Sequence, residues 1–287
     1  MSSPSQIELL ILDIDGTIAG ESNQVTQPVI NAISQVRALG IPVAIATGRM
    51  FCSASRFYQA IGLQLPLICY NGALIKHPQT EKVYRHIPVS ISLAREIIDI
   101  LENVEYRDRL TIHFYINDTL YVREMSEKTR NYLQRSSAEV KVVGDLRNLL
   151  DGDEKTEPTK ILALSTDTAL VERVSVHLRQ FYPETQLHLT RSTPTFLEIT
   201  NPSANKGAAI QDLAENILGI SIDRVMAIGD NFNDLEMLKS AGIGVAMGNS
   251  PPEIQEIADW VAPDVENDGV VTAIEKFILS PHLVKQT

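Results

Sequence analysis

The feature that most constrains the fold is an alternation of two hydrophobic periods along the first seventy residues. Nearly continuous apolar runs at 7–14, 41–46 and 67–70 are typical of strands that are buried on both faces of a parallel sheet. Between them, residues 28–39 show an apolar stripe at helical spacing, and residues 51–61 also suit a helix. This strand–helix–strand order predicts an α/β fold built on a doubly wound parallel sheet.

The same pattern returns in the last eighty residues. Helices are predicted over 206–218, 234–240 and 268–278, with strands over 224–228 and 260–261. Glycines follow the first two of these helices closely, where they can end them. We therefore predict that both ends of the chain belong to one Rossmann-like domain.

Residues 81–195 follow a different pattern. Two apolar runs, 110–116 and 119–122, are separated by the turn residues Asn117 and Asp118, which indicates a hairpin. Further strands and helical stripes accompany this hairpin, so we predict a second, smaller α/β domain that is inserted into the first. The predicted domains are a discontinuous outer domain over 1–80 and 196–287, and an inserted domain over 81–195.

The charge balance argues against two classes of partner. The chain has 36 Asp and Glu against 25 Lys and Arg, a formal net charge of −11. Nucleic acids and anionic membrane surfaces require clustered basic residues, so neither is an expected partner. No apolar run approaches the roughly 18 residues of a membrane helix, and residues 1–6 lack the basic segment of a signal peptide. Two cysteines indicate reduced thiols, and we expect a cytoplasmic protein.

Two carboxylates follow the first predicted strand. Asp13 and Asp15 lie in the segment Leu-Asp-Ile-Asp-Gly-Thr, in which Gly16 permits an immediate turn. Ligands of open α/β sheets bind beyond the carboxyl ends of the strands, so both acids lie where chemistry is expected. A turn rich in aspartate that merely ends a strand would use the same residues, and this segment alone does not decide between the two.

Three further polar segments lie at strand or helix ends. Residues 47–49 (Thr-Gly-Arg) follow the second strand, Lys206 begins a helix, and residues 229–234 (Gly-Asp-Asn-Phe-Asn-Asp) follow a later strand. A helix N-terminus and an ammonium group both favour a phosphate at Lys206. Taken singly, each has an ordinary explanation as a helix cap, a surface lysine or helix-start acids. Together, and in this order, the four segments favour one shared site.

The residue types at this site predict its chemistry. Carboxylates that converge require a cation, and ligation by oxygen alone suits Mg²⁺, which retains waters and binds substrate phosphate. An acidic cluster with a threonine hydroxyl and a lysine is typical of phosphoryl transfer, in which positioning and charge neutralisation do most of the catalysis. The sequence therefore predicts Mg²⁺-dependent phosphoryl transfer.

The four segments resemble the motifs of the haloacid dehalogenase (HAD) superfamily, and specifically its Cof-type phosphatases. These proteins carry an α/β cap after the third core strand, and the predicted insert agrees with that cap in position and size. The resemblance covers the core at both ends of the chain. It includes Tyr70-Asn71-Gly72-Ala73, Ala246-Met247-Gly248-Asn249 and Asp268-Gly269-Val270.

The resemblance implies a role for each catalytic residue. Asp13 would be the nucleophile that forms an aspartyl-phosphate, and Asp15 would protonate the leaving oxygen and then deprotonate the attacking water. Thr47 and Lys206 would hold phosphoryl oxygens. The implied Mg²⁺ ligands are the Asp13 carboxylate, the Asp15 backbone carbonyl and Asp230, supported directly or through water by Asn233 and Asp234. The predicted substrate-binding residues are Gly48, Arg49, Asn71, Gly72, Asn233 and Asn249.

The resemblance thus implies a phosphatase for small phosphorylated metabolites, namely sugar phosphates or phosphorylated cofactors. Dehalogenases of the superfamily lack the second acid, so the presence of Asp15 disfavours dehalogenation. A cap that closes over the core site would exclude water and large substrates. A phosphomutase of the same superfamily stays open as an alternative, because mutases also carry both acids. A non-catalytic phosphometabolite-binding protein is a less favoured alternative, because it would lack a catalytic group and none is missing. We expect a monomer or a small homo-oligomer.

Overall fold

The computed structural model describes residues 7–134, 136, 138–151, 156–191 and 193–284. Residues 1–6, on which the expectation about a signal peptide rests, lie outside the described residues. The chain divides into two compact units. Unit 1 contains the chain up to Arg49, residues Ala54–Tyr84 and the chain from Asn205 onwards, and unit 2 contains Met50–Ser53 and Arg85–Ala204.

The described elements alternate between strands and helices through most of the chain. The strands are β1 Leu9–Leu12, β2 Val43–Ile45, β3 Leu67–Cys69, β4 Leu74–Lys76, β5 Val83–His86, β6 Thr111–Ile116, β7 Thr119–Val122, β8 Glu139–Val142, β9 Lys160–Leu164, β10 His188–Thr190, β11 Phe196–Thr200, β12 Val225–Gly229, β13 Ile243–Ala246 and β14 Trp260–Val261. The helices are α1 Gln27–Ala38, α2 Phe51–Ala60, α3 Ile91–Leu101, α4 Glu127–Leu133, α5 Asn148–Asp151, α6 Thr168–Phe181, α7 Lys206–Gln211, α8 Leu235–Ser240, α9 Pro252–Ile257, α10 Gly269–Ile274 and α11 Ser280–Val284.

A five-stranded parallel sheet, in the order β14-β13-β12-β1-β2, forms the centre of unit 1. All four residues of β1 are fully buried, as its continuous apolar run requires. Strand β3 adjoins β2 through one parallel bridge between Ala46 and Ile68. The α/β fold with a doubly wound, Rossmann-like parallel sheet is therefore confirmed.

The chain reverses sharply after β3. Tyr70, Asn71 and Gly72 all have positive φ angles, of 53°, 54° and 95°, and the chain then returns as β4, antiparallel to β3. Two consecutive non-glycine residues in the left-handed region are costly, and they persist only where surrounding contacts hold them. The turn brings the Asn71 side chain into the buried interior of unit 1, where it is 1% exposed.

Helix α7 carries Lys206 as its first residue. The side chain of Asn205 caps the helix by accepting a hydrogen bond from the Ala208 N–H at 2.7 Å. The helix continues with π-helical turns to Leu218, and Gly219 ends it with a φ of 71°. The span predicted for this helix is confirmed.

Unit 2 contains a six-stranded sheet in the order β10-β11-β9-β6-β7-β8, which is antiparallel except between β7 and β8. Asn117 and Asp118 have φ angles of 49° and 61° and join β6 to β7, so the predicted hairpin is confirmed. The apolar stripes of α3 and α6 share one buried core with the sheet, represented by Ile97, Val174 and Phe114.

The division between the units differs from the boundaries expected from the sequence. It falls after Tyr84 and after Ala204, whereas the expected boundaries follow residues 80 and 195. The later end of the insert has a physical cause: Phe196–Thr200 pairs antiparallel with β9 and β10, so this strand completes the sheet of unit 2. Within the described residues, no helix combines the length and the apolar character that crossing a bilayer requires.

Candidate active site

Two of the predicted acids lie side by side because their strands are neighbours. Leu12 pairs with Ile228 at the carboxyl ends of β1 and β12, and the Asp13 N–H donates to the Ile228 carbonyl at 3.0 Å. Asp13 and Asp230 each follow one of these strands, so both leave the sheet at the same edge. One carboxylate oxygen from each, with one from Asp234, lie within 4.8 Å of one another.

Gly16 permits the close approach of these two loops. Its φ is 77°, and a Cβ at this position would lie 2.1 Å from Asp230 Oδ2. No side chain fits in that space, because normal contacts are more than 1 Å longer. The glycine after the second aspartate therefore serves the position of Asp230 as well as the local turn.

Lys206 is the buried counter-charge of the cluster. Its side chain is fully buried, and its Nζ lies 2.7 Å from Asp13 Oδ1 and 2.5 Å from Asp234 Oδ1. Gly207 permits α7 to approach α8, since a Cβ there would lie 2.6 Å from the Glu236 carbonyl oxygen. Charge-assisted hydrogen bonds of this length are strong, and they fix the ammonium between the two carboxylates.

The three acids differ in how many of their oxygens are engaged. Asp234 Oδ1 accepts from Lys206, and its Oδ2 accepts from the backbone N–H groups of Asp230 and Asn231, each at 3.0 Å. By contrast, Asp13 Oδ2 and Asp230 Oδ1 accept no hydrogen bond from the part of the chain that the structure describes. Asp13 and Asp230 therefore retain free oxygens, and Asp234 is occupied in holding the loop and the lysine.

The electrostatics of the cluster show a deficit of positive charge. Burial raises the pKa of Asp13 to about 7, Asp234 and Asp15 add to this, and Lys206 opposes it. Burial and the charges of Asp13 and Asp234 raise the pKa of Asp230 to about 9. Burial opposes the charge of Lys206, but the two neighbouring carboxylates hold its pKa above the ordinary value. One ammonium does not balance the buried acids.

Thr47, Gly48, Asn71 and Asn233 come together at a second group of contacts. Thr47 follows β2 and is fully buried, and Asn71 Oδ1 accepts from Asn233 Nδ2 at 3.1 Å. A Cβ on Gly48 would lie 2.8 Å from Asn71 Oδ1, so the glycine admits the asparagine. The Asn71 N–H donates to the Thr47 carbonyl at 3.0 Å. The predicted phosphate-binding segments thus contact one another.

Asp15 lies apart from the buried cluster. Its side chain is 53% exposed, and its carboxylate forms a two-point ion pair with Arg49 at 2.7 and 2.5 Å. The resemblance implies that only the backbone carbonyl of Asp15 binds the cation. The direction of the Asp15 side chain therefore does not conflict with that prediction. Arg49 is largely buried, and its Nη2 also donates to Asn23 Oδ1 at 2.7 Å.

Asn249 and Gly72, which the sequence groups with the substrate-binding residues, have structural contacts. Asn249 Nδ2 donates to the Gly16 carbonyl at 3.0 Å and to Asp230 Oδ2 at 3.2 Å, and its Oδ1 accepts from a backbone N–H. A Cβ on Gly72 would lie 2.4 Å from the Asn205 carbonyl oxygen, at the start of α7. Asn249 therefore joins neighbouring loops, and Gly72 permits the close approach of the start of α7.

Sequence reasoning missed the polar residues that support the site. Asn205 caps the helix that bears Lys206, Asn231 caps the turn before α8, and Asn23 contacts Arg49. An asparagine before a predicted helix start is a recognisable cap signal, so the first of these was within reach. Asn23 gives no such signal, because its contact with Arg49 joins residues that are distant in the chain.

Comparison with known proteins gives the same assignment. A family model described as haloacid dehalogenase-like hydrolase matches residues 10–274. The chain is 29% identical over 276 residues to the 5-amino-6-(5-phospho-D-ribitylamino)uracil phosphatase YitU of Bacillus subtilis, with 94% of this chain and 97% of the relative covered. It is 26% identical over 269 residues to the phosphoglycolate phosphatase of Methanothermobacter thermautotrophicus, with 94% and 98% covered.

A solved structure shares the fold over nearly the whole chain. The haloacid dehalogenase-like hydrolase from B. subtilis superposes with a TM-score of 0.82 at 25% identity, and the match covers 94% of this chain and 99% of that protein. The resemblance that the sequence motifs indicate is therefore confirmed. The chain belongs to the haloacid dehalogenase-like hydrolase family.

Proposed function

We propose that the protein is a Mg²⁺-dependent phosphatase that hydrolyses small phosphorylated metabolites through an aspartyl-phosphate. Its class, a phosphoric monoester hydrolase, follows from the family and from the phosphatases that it resembles. The observation that carries the proposal is the buried cluster in which Lys206 contacts Asp13 and Asp234 beside Asp230. Sugar phosphates and phosphorylated cofactors are the proposed substrates.

The donor set fits a divalent cation. Asp13 and Asp230 each have one carboxylate oxygen that accepts no hydrogen bond from the described residues, and carboxylate oxygens are hard ligands. The raised pKa values of both acids indicate that the buried site lacks positive charge. We propose these two side chains and the Asp15 carbonyl as the ligands, with Asp234 and Asn233 in support. When bound, Mg²⁺ would offset the charge of the carboxylates and of the transferring phosphoryl group.

In the first step, Asp13 attacks phosphorus. A bond forms between a carboxylate oxygen of Asp13 and phosphorus as the bond to the leaving oxygen breaks, and Asp15 gives that oxygen a proton. The contact between Lys206 and Asp13 Oδ1 holds in place the carboxylate that attacks. Lys206, Thr47 and Asn71 are proposed to hold the non-reacting phosphoryl oxygens.

In the second step, water hydrolyses the aspartyl-phosphate. Asp15, now a carboxylate, takes a proton from the water as its oxygen attacks phosphorus, and the bond from phosphorus to Asp13 breaks. Phosphate leaves, Asp13 regains its carboxylate, and Asp15 regains its proton. The same side chain therefore serves as acid and then as base, which microscopic reversibility allows.

The remaining assignments concern the setting of the reaction. We propose that the insert, predicted over 81–195, is the cap that restricts the substrate to small molecules. The proposed partner is a small phosphorylated metabolite, and the acidic net charge of −11 argues against nucleic acid. Neither Cys52 nor Cys69 forms a disulfide, which suits a cytoplasmic enzyme. A monomer or small homo-oligomer is the proposed state.

The test is the substitution Asp13→Asn, assayed with p-nitrophenyl phosphate and Mg²⁺. Turnover should fall below detection, because an amide does not form the acyl-phosphate. The variant should remain folded, since the raised pKa of Asp13 shows that its surroundings favour an uncharged group. Asp99→Asn, which removes an exposed carboxylate paired with Arg147 in unit 2, is the matched control and should keep wild-type turnover.

Two results would count against the proposal. Wild-type turnover by Asp13→Asn would remove Asp13 as the nucleophile. Accumulation of an isomeric phosphate from a hexose phosphate, without release of inorganic phosphate, would indicate a mutase. A phosphate-release screen over sugar phosphates, nucleotides, flavin mononucleotide and pyridoxal phosphate, with and without Mg²⁺, would identify the substrate class.

A further inference from the structure

Arg49 and Asp15 form an ion pair with defined geometry. Arg49 Nε donates to Asp15 Oδ2 at 2.7 Å, and Arg49 Nη2 donates to Asp15 Oδ1 at 2.5 Å. This fork arrangement fixes both the position and the plane of the carboxylate, which a single hydrogen bond does not. Among the described residues, Arg49 supplies every hydrogen bond that the Asp15 carboxylate accepts from a side chain.

Asp15 has little else to hold its side chain in one direction. The side chain is 53% exposed, and the next residue, Gly16, lies in the left-handed region. An exposed carboxylate in a turn samples several rotamers unless a partner selects one of them. The direction of the Asp15 carboxylate therefore depends on Arg49.

Arg49 is itself held from three sides. Its Nη2 donates to Asn23 Oδ1 at 2.7 Å, its guanidinium carbon lies 4.6 Å from the centre of the Phe57 ring, and its backbone N–H donates to Thr47 Oγ1 at 3.2 Å. Its side chain is only 11% exposed. An ordinary surface ion pair has two exposed partners, whereas here a largely buried arginine with several other contacts holds an exposed acid.

These contacts leave Arg49 poorly placed to bind phosphate. Nε and Nη2 are engaged with Asp15 and Asn23, and the remaining terminal nitrogen, Nη1, is buried without a hydrogen-bond partner. We propose that Arg49 is a positioning residue that orients the Asp15 carboxylate for proton transfer, in place of the phosphate contact expected from the sequence. This inference rests on the proposed function, in which Asp15 is the acid and base.

The proposal predicts a dependence on the leaving group. β-Glycerophosphate releases an alkoxide, which needs a proton as it departs, whereas p-nitrophenolate is stable without one. Arg49→Gln should therefore lower the single-turnover rate for β-glycerophosphate by about 10- to 100-fold, a part of the usual contribution of general acid catalysis. The burst of p-nitrophenolate should change by less than about 3-fold, and KM for either substrate should change little.

The decisive measurement repeats Arg49→Gln in the Asp15→Asn background. If Arg49 acts through Asp15, the substitution has no further effect on β-glycerophosphate turnover there, and the two effects are not additive. Arg56→Gln is the matched control, because Arg56 stacks on the same Phe57 ring at 4.4 Å. It should keep the wild-type ratio of the two substrate rates.

Two further variants separate this role from phosphate binding and from folding. Arg49→Lys retains the charge without the fork. It should therefore show the same selective fall in the β-glycerophosphate rate as Arg49→Gln, and it should keep the wild-type inhibition constant for inorganic phosphate. Asn23→Ala removes one support of Arg49 and should show the same signature more weakly. It supplies the test if Arg49→Gln unfolds, which its thermal unfolding temperature would reveal.

The inference is overturned if Arg49→Gln lowers both substrate rates equally, weakens phosphate inhibition, or retains its effect in the Asp15→Asn background. An unchanged β-glycerophosphate rate overturns it as well. Failure of the proposed function is distinguishable, because it would appear in the wild-type protein and in Asp13→Asn. In that case no p-nitrophenolate burst would depend on Asp13, whatever stands at position 49.

Discussion

Gly16→Ala tests whether the geometry of the site depends on the close approach of two loops. The glycine lies after β1 with a φ of 77°, and an alanine Cβ would lie 2.1 Å from Asp230 Oδ2. Carbon and oxygen atoms do not approach so closely, so either the loop or the Asp230 carboxylate must move. Asn249 ties both groups together, through hydrogen bonds to the Gly16 carbonyl and to Asp230.

The size of the effect follows from this distance. A displacement of about 1 Å is needed to restore a normal contact. Misplacement of a catalytic group by about 1 Å can cost about 100-fold in rate, and we expect a loss of that order in kcat. The left-handed backbone adds a strain of about 1–2 kcal/mol for a residue with a Cβ. We therefore expect kcat to fall by about 100-fold, whereas backbone strain lowers the free energy of unfolding by only about 1–2 kcal/mol.

Gly40→Ala supplies the matched control. Gly40 follows α1 with a φ of 81°, so alanine meets the same backbone strain, but no heavy atom lies within 4 Å of its Cβ position. Gly16→Ala should lose at least as much free energy of unfolding as Gly40→Ala, because both meet the backbone strain and only Gly16→Ala adds the close contact. Only Gly16→Ala should lose turnover and require more Mg²⁺ for half-maximal activity.

The assay combines p-nitrophenyl phosphate hydrolysis at varied Mg²⁺ with urea unfolding of both variants. Wild-type kcat and Mg²⁺ dependence in Gly16→Ala would refute the reasoning, because the close contact would then have no part in placing Asp230. Equal losses of activity in Gly16→Ala and Gly40→Ala would refute it too, since backbone strain alone would explain both.

Two further predictions concern the charges of the cluster. Lys206→Met leaves Asp13 and Asp234 buried without their ammonium, so the free energy of unfolding in urea should fall by about 3–5 kcal/mol. Lys76→Met, in a more exposed ion pair, is the control and should change the free energy of unfolding by less than about 1 kcal/mol. Equal effects of the two substitutions would contradict the prediction. The pKa values of Asp13 and Asp230, about 7 and about 9, lie above 3.8, so the folded cation-free protein binds more protons than the unfolded chain, and its stability should fall as pH rises from 4 to 9. Mg²⁺ should accordingly raise the thermal unfolding temperature more at pH 9 than at pH 5, and the reverse order would contradict the assignment.

The fold could be predicted where burial leaves a periodic signal. A continuous apolar run predicts β1, which is buried throughout, and an apolar stripe at helical spacing predicts α6. No pattern predicts β5, because its residues are mostly exposed and follow no apolar period. No local pattern predicts that Phe196–Thr200 pairs with β9 and β10, because strand pairing joins residues that are distant in the sequence.

The site could be predicted as a set of residues but not as a set of contacts. Strand ends identify Asp13 and Asp230 as neighbours, because parallel topology brings such ends together, and Lys206 is grouped with them through its position at a helix start. The sequence does not show that Asp234 uses both oxygens on Lys206 and backbone groups, or that Asn249 joins two loops. Those roles depend on side-chain direction, which pattern alone does not fix.

Hydrogen bonds from within the chain contact two acids of the cluster. Lys206 and two backbone N–H groups fix Asp234, and Asn249 fixes Asp230 against the Gly16 carbonyl. These hydrogen bonds hold like charges together, and burial and then that proximity raise the pKa of Asp13. Binding of Mg²⁺ should therefore change the charge of the site more than its geometry. Removal of the cation would then lower activity and stability while the positions of these acids stay nearly the same.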